Sequence, residues 1–203
     1  MYVAKGYEWE THQPLIRAVM DLYKPDFVLE LGAGYYSTPV FLEYEVGFMT
    51  VENNREWVDI MNKEFNLNVI FHNLYAIEEG QGVDSLTAEQ RHEIISFYRK
   101  LEVSKENNLL FVDNFRCCRM LAINTLRDKF DLIIYHDSES FEVNNFDRVN
   151  KEGFKIYTLQ TSGPCTTLMV KNDKGFKELQ ETIEPYIVMF LNKHPNCTLM
   201  KLI

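Results

Sequence analysis

Four short stretches of this chain carry residues whose types and spacing suit chemistry on a bound small molecule. The first is 27–38, FVLELGAGYYST, where an apolar run leads into Glu30 and then into two glycines one residue apart, Gly32 and Gly34. Glycine lets a backbone turn at positive φ and lets a ligand approach with no Cβ in the way, so the pattern suits a strand, a ligand-facing loop and a helix start. Ser37 and Thr38 are placed to cap that helix, with Pro39 in its first turn, where a missing N–H costs nothing. An ordinary strand-turn-helix joint has the same grammar, and the glycines alone do not separate the two. The pair Tyr35-Tyr36 suits stacking on a ligand and filling space equally well.

The second and third stretches end in acids. Glu52 follows Phe48-Met49-Thr50-Val51, and Asp113 follows Leu109-Leu110-Phe111-Val112. A carboxylate where Glu52 stands, with Asn53 beside it, accepts both hydroxyls of a ribose; a solvated acid at a strand end is the plainer alternative. The fourth stretch is His136-Asp137-Ser138-Glu139. His136 is the candidate general base, because an imidazole titrates near neutrality and the flanking acids are placed to orient it. A structural histidine bonded to a loop is the competing role. Arg116 and Arg119 share a helical face after Asp113, placed to clamp a carboxylate or phosphate or simply to pair with nearby acids. Trp9 and His12 precede the first helix, where they either fold over the site or pack.

These residues need elements to hold them. Apolar periodicity predicts a first helix capped by Thr11 and ending near Lys24-Pro25, strands over 27–31, 48–51, 68–72, 109–112 and 131–135, and helices over 38–44, 54–65, 86–101 and 117–126. Two later strands, 154–159 and 166–170, are joined by Thr161-Ser162-Gly163-Pro164, which is turn chemistry for an antiparallel pair, and a last amphipathic helix covers 175–191. Continuous apolar runs such as 109–112 suit central parallel strands covered on both faces. Alternating strands and helices followed by a hairpin give an α/β sheet, mostly parallel with one antiparallel strand, and a ligand site beyond the strand carboxyl ends.

The 203 residues, 46% hydrophobic, suffice for one core, so a single domain over 1–203 is expected, with 1–26 packed on it. A net charge of −9 argues against non-specific nucleic-acid or anionic-membrane binding. Cys117, Cys118, Cys165 and Cys197 make no Cys-x-x-Cys pair, and no signal-peptide core or membrane-spanning apolar run is visible. A soluble, cytoplasmic protein is expected.

Together, Glu30-Leu31-Gly32-Ala33-Gly34, Glu52 and Asp113 resemble the class I methyltransferases that use S-adenosylmethionine, over residues 27 to about 170. The resemblance implies a Rossmann-like seven-stranded sheet with its last strand antiparallel. It implies that the loop of Glu30, Gly32, Gly34, Tyr36 and Ser37 packs on the cofactor, that Glu52 and Asn53 hold the ribose, and that Asp113 lies near the methionine end or the acceptor. The segments around Trp9, His12 and Pro14, Val112-Asp113 with Arg116 and Arg119, His136 to Glu139, and Pro164-Cys165-Thr166-Thr167 resemble a less characterised branch of such enzymes, which implies no particular acceptor. Tyr36 stands where the family often has a third glycine.

The expected activity is methyl transfer to oxygen or nitrogen of a small or medium-sized acceptor, with His136, Asp113 and Asp137 as catalytic residues and Arg116, Arg119, Trp9 and His12 binding the acceptor. Asp113 and Asp137 also resemble the magnesium-holding carboxylates of catechol-type O-methyltransferases, but Ser138 replaces a further ligand, so no metal is the expectation and Mg2+ the alternative. A non-catalytic binding module and a nicotinamide-dependent oxidoreductase are the rival readings. The second would need glycine at Ser37.

Overall fold

The computed structural model describes residues 10–74, 82–103, 107–139 and 145–203. The elements run α1 (Gln13–Tyr23), β1 (Phe27–Leu31), α2 (Thr38–Leu42), β2 (Gly47–Glu52), α3 (Arg55–Phe65), β3 (Ile70–Phe71), α4 (Ala88–Lys100), β4 (Asn108–Val112), α5 (Arg116–Leu126), β5 (Leu132–His136), β6 (Lys155–Thr161), β7 (Thr166–Val170), α6 (Phe176–Lys193) and β8 (Met200–Leu202). Local chemistry sets several of their ends. Asn54 opens α3, its side chain accepting from the Trp57 N–H, and Asn66 closes it in the left-handed conformation. Thr87 and Gln90 form a reciprocal capping box on α4. At α1 the N-cap is His12, one residue later than expected, with a proline in the first turn.

The eight strands among the described residues join one sheet in the order β3-β2-β1-β4-β5-β7-β6-β8. Strands β1 to β5 pair in parallel. Strand β7 runs antiparallel between β5 and β6, as the turn at 161–164 requires, and β8 adds a second antiparallel strand on the β6 edge. The sheet is thus the expected type, one strand wider than expected.

Side chains alternate across it. Val28, Leu109, Phe111, Ile134 and Leu168 pack in one core with Leu15, Ile16 and Val19 of α1 and Leu179 and Ile183 of α6. Leu29, Leu31, Leu110, Val112, Ile133 and Met169 pack in a second with Ile94 and Tyr98 of α4 and Cys118 and Ile123 of α5. Both faces are covered, which explains why β4, β5 and β7 are buried along their whole length. The order reverses between β1 and β4, the place where an α/β sheet leaves a crevice at its carboxyl end.

Candidate functional site

The ends of β1 and β4 approach so closely that only glycine fits between them. Gly32 has φ +98°, and a Cβ there would lie 2.5 Å from the Asp113 carbonyl oxygen and 2.8 Å from the Asn114 nitrogen. Its N–H donates to the Val51 carbonyl, and the Asp113 N–H donates to the Leu31 carbonyl, each at 2.8 Å. Three strand ends are thereby laced together. Gly34 differs: an added Cβ would meet only the Ser37 Oγ, at 3.6 Å, so the space beside this part of the loop is open.

Glu30 shapes that loop from beneath. Its side chain is fully buried, accepting from Ser37 Oγ at 2.6 Å and from Thr38 Oγ1 at 2.7 Å, and the Gly34 N–H donates in turn to Thr38 Oγ1 at 3.0 Å. Burial pushes the Glu30 carboxyl up to about 7, against the pull of both hydroxyls. The expectation that Glu30 and Ser37 touch the cofactor is corrected here: both turn inward and hold the loop. Ser37 also makes no side-chain cap to α2, because its hydroxyl is spent on Glu30. Tyr35 is engaged elsewhere, its hydroxyl donating to Glu64 at 2.6 Å and its ring edge-on to Trp57. Tyr36 is half-buried, and its carbonyl accepts from the Gln13 side chain at 2.9 Å.

Beyond the strand ends lies a cleft of about 910 Å³, bordered by Glu52, Asn53, Asp113, Arg116, His136 and Asp137 together with Asn54, Asn114, Phe115, Arg119, Glu139, Gly163 and Pro164. That volume suits a nucleoside-sized ligand and a small second molecule. The Glu52 Oε1 accepts from the backbone N–H groups of Asn53 and Asn54, both at 2.7 Å, which fixes the carboxylate at the cleft wall. Burial raises it to about 7, opposed by those same two amides.

Arg119 decides the opposite wall. Its Nη2 donates to Asp113 Oδ1 at 2.8 Å, its Nη1 to Asp137 Oδ2 and to the His136 carbonyl, each at 3.0 Å, and its Nε to the Asn114 carbonyl at 2.7 Å. One buried guanidinium ties the ends of β4 and β5 together. It is not available to clamp an acceptor, as the sequence alone suggested. It also supplies the positive charge between Asp113 and Asp137 that a magnesium ion would otherwise supply, so this carboxylate pair does not fit that ion. Burial raises Asp113 to about 6, with Arg119 pulling the other way. For Asp137, which sits at φ +55°, burial is outweighed by His136 and Arg119, and its carboxyl stays below the ordinary value. Arg116, exposed at the start of α5 and on the cleft wall, makes no ion pair with another described residue.

His136 and His12 meet. Their ring centroids are 4.7 Å apart, edge-on, and His12 also packs on Phe111 at 5.4 Å. His12 is only 2% exposed, so it is part of the core beneath the cleft and not of a cover over it. Trp9, paired with it in the sequence reading, lies outside the described residues. His136 Nδ1 is 3.0 Å from Thr166 Oγ1 and its Nε2 is 3.6 Å from Asp137 Oδ1. Burial lowers His136 to about 4 despite Asp137, and lowers His12 to about 3 with His136 adding to the effect. Held that low, the imidazole is a weaker base than a free histidine, which counts against His136 as the general base. The partnership of His12 with His136, and the place of Gly163-Pro164 on the cleft wall, had no signal in the linear sequence beyond residue type.

No family model and no curated protein matches the chain by sequence. Comparison with solved structures does find similar folds. The Escherichia coli protein YhhF, described provisionally as a methyltransferase, superimposes with a TM-score of 0.51 at 18% identity, over 80% of this chain and 87% of that one. The N-methyltransferase NodS from Bradyrhizobium japonicum WM9, in complex with S-adenosyl-L-homocysteine, superimposes with a TM-score of 0.51 at 8% identity, over 84% of this chain and 90% of that one. The fold is that of the class I methyltransferases. At these identities the likeness concerns the backbone arrangement, and the class I methyltransferase sheet accounts for where the glycine loop, Glu52 and Asp113 converge. No helix among the described residues is long and apolar enough to cross a membrane.

Proposed function

We propose that this protein is an S-adenosylmethionine-dependent methyltransferase of the cytoplasm that acts on oxygen or nitrogen of a small acceptor. The observation that carries the reading is Glu52: a carboxylate fixed by two backbone amides at the end of β2, facing a cleft at the topological switch point. The residues present suit the cofactor. Glu52 and Asn53 would hold the ribose, and the open flank at Gly34 leaves room for the ligand to lie against backbone. NodS, which shares the fold, is seen with the demethylated cofactor, and this supports the same pocket here.

When bound, S-adenosylmethionine supplies a methyl group that is already electrophilic, so the protein's main tasks are alignment and exclusion of water. Asp113, fixed through Oδ1 by Arg119, lies on the cleft wall where an acceptor's hydroxyl or amino proton is directed. Arg116 faces the same space and would meet an anionic part of the acceptor. Phe115 and Pro164 give the cleft an apolar part of its lining.

Calorimetric titration with S-adenosylhomocysteine, S-adenosylmethionine and NAD tests the reading. Micromolar binding of the first two is expected. Glu52→Gln should weaken it about 10- to 150-fold, the value of hydrogen bonds to a charged group worth roughly 1.5–3 kcal/mol. Absence of binding by either adenosyl ligand, or tighter binding of NAD, overturns the proposal.

A further inference from the structure

Two histidines at the floor of the cleft, His12 and His136, are left without a task by methyl transfer, and they stand beside Asp113. A ring nitrogen of His12, a ring nitrogen of His136 and a carboxylate oxygen of Asp113 all lie within 4.8 Å of one another. They come from three separated parts of the chain: the N-cap of α1, the end of β5 and the residue after β4. His12 makes the arrangement unusual. Neither of its ring nitrogens makes a well-formed hydrogen bond with a described residue, the Tyr36 backbone being the one polar main-chain group that acts on it, and only 2% of the residue is exposed. An imidazole shut away from water with so little hydrogen bonding costs free energy that a bound ion would recover.

We propose that His12, Asp113 and His136 form a binding site for one divalent transition ion of the nitrogen-preferring kind, such as zinc or iron(II). Two imidazoles and one carboxylate match that class, whereas magnesium and calcium prefer oxygen donors. The geometry needs little adjustment: an ion central to donors at most 4.8 Å apart lies about 2.8 Å from each, so each draws in by roughly 0.7 Å to reach bonding distance. Supporting contacts already orient two of the ligands. Thr166 holds His136 through Nδ1 and leaves Nε2 for coordination, and Arg119 holds Asp113 through Oδ1. Because three protein donors leave coordination positions open beside the cleft, the ion can take an oxygen or nitrogen of the acceptor.

The proposal stands apart from the choice of cofactor and is tested apart from it. Protein freed of metal by chelator is titrated with Zn2+ alone by calorimetry and with Co2+ alone by visible absorption, which reports nitrogen-containing coordination directly. One equivalent of each should bind, with Zn2+ at micromolar affinity or tighter. His12→Phe, which fills the same apolar place beside Phe111, should weaken Zn2+ at least tenfold, as should His136→Asn. His194→Gln, at the other histidine–carboxylate contact, 3.1 Å from Glu10, should leave the affinity unchanged. Circular dichroism and S-adenosylhomocysteine titration on the same samples report whether each variant is folded. Wild-type protein that binds no Zn2+ overturns the proposal, and so does a folded His12→Phe variant that binds it as wild type does.

Discussion

Replacing Glu30 by glutamine should reverse its effect on stability across the neutral range. In the folded protein the Glu30 carboxyl is raised from 4.5 to about 7, chiefly by burial, while its hydroxyl partners Ser37 and Thr38 favour the charged form too weakly to compensate. For an acid shifted upward, the folded state binds the proton more tightly than the unfolded chain does. The stability from that proton is therefore fully present below pH 4.5 and is lost as pH rises through 7. Relative to a neutral side chain of the same shape, the loss is about 1 kcal/mol at pH 5 and about 3 kcal/mol at pH 8, a change of roughly 2 kcal/mol. Glu52 carries a similar shift, but it is present in both proteins and drops out of the difference. Urea denaturation of wild type and Glu30→Gln at pH 5, 6.5 and 8 measures it. The variant should gain on wild type by roughly 2 kcal/mol between the extremes. A difference that is the same at pH 5 and pH 8 would falsify the assignment of Glu30 as a buried brace of the loop whose carboxyl is shifted upward.

The two loop glycines should separate fold from ligand. Gly32→Ala forces a Cβ against the Asp113 carbonyl at positive φ and should cost roughly 2–5 kcal/mol in denaturant unfolding, whereas Gly34→Ala should stay within about 1 kcal/mol yet weaken S-adenosylhomocysteine at least tenfold. Equal stability of the two variants would remove the steric account. Arg119→Met should destabilise by up to about 3–5 kcal/mol, because it removes the buried cation shared by the half-buried Asp113 and Asp137 and leaves the two carboxylates beside one another without it. A loss under about 1 kcal/mol in the same unfolding measurement would show that water replaces the guanidinium and that the strand ends do not depend on it.

Much of the frame is legible in residue order because it depends on local pattern. Apolar runs that stop at Glu52 and Asp113 mark β2 and β4 and their cleft-lining ends, and the turn residues at 161–164 announce the antiparallel β6–β7 pair. Strand β8 was not legible: Met200, Lys201 and Leu202 are too few to show a period, and they become a strand only because the edge of β6 offers unpaired backbone groups.

The site divides along the same line. Residue types and their positions at strand ends were enough to nominate Glu52, Asp113, Arg116 and His136, since a parallel sheet always brings its carboxyl ends to one side. Which of them face the cleft, and which are consumed within the protein, depends on distances between segments far apart in the chain. Only the tertiary structure turns Glu30 and Ser37 inward, spends Arg119 on Asp113 and Asp137, and carries His12 from the first helix to within 4.7 Å of His136. Hydrogen bonding and burial are properties of neighbours in space, and so the sequence names the candidates while the packing assigns their roles.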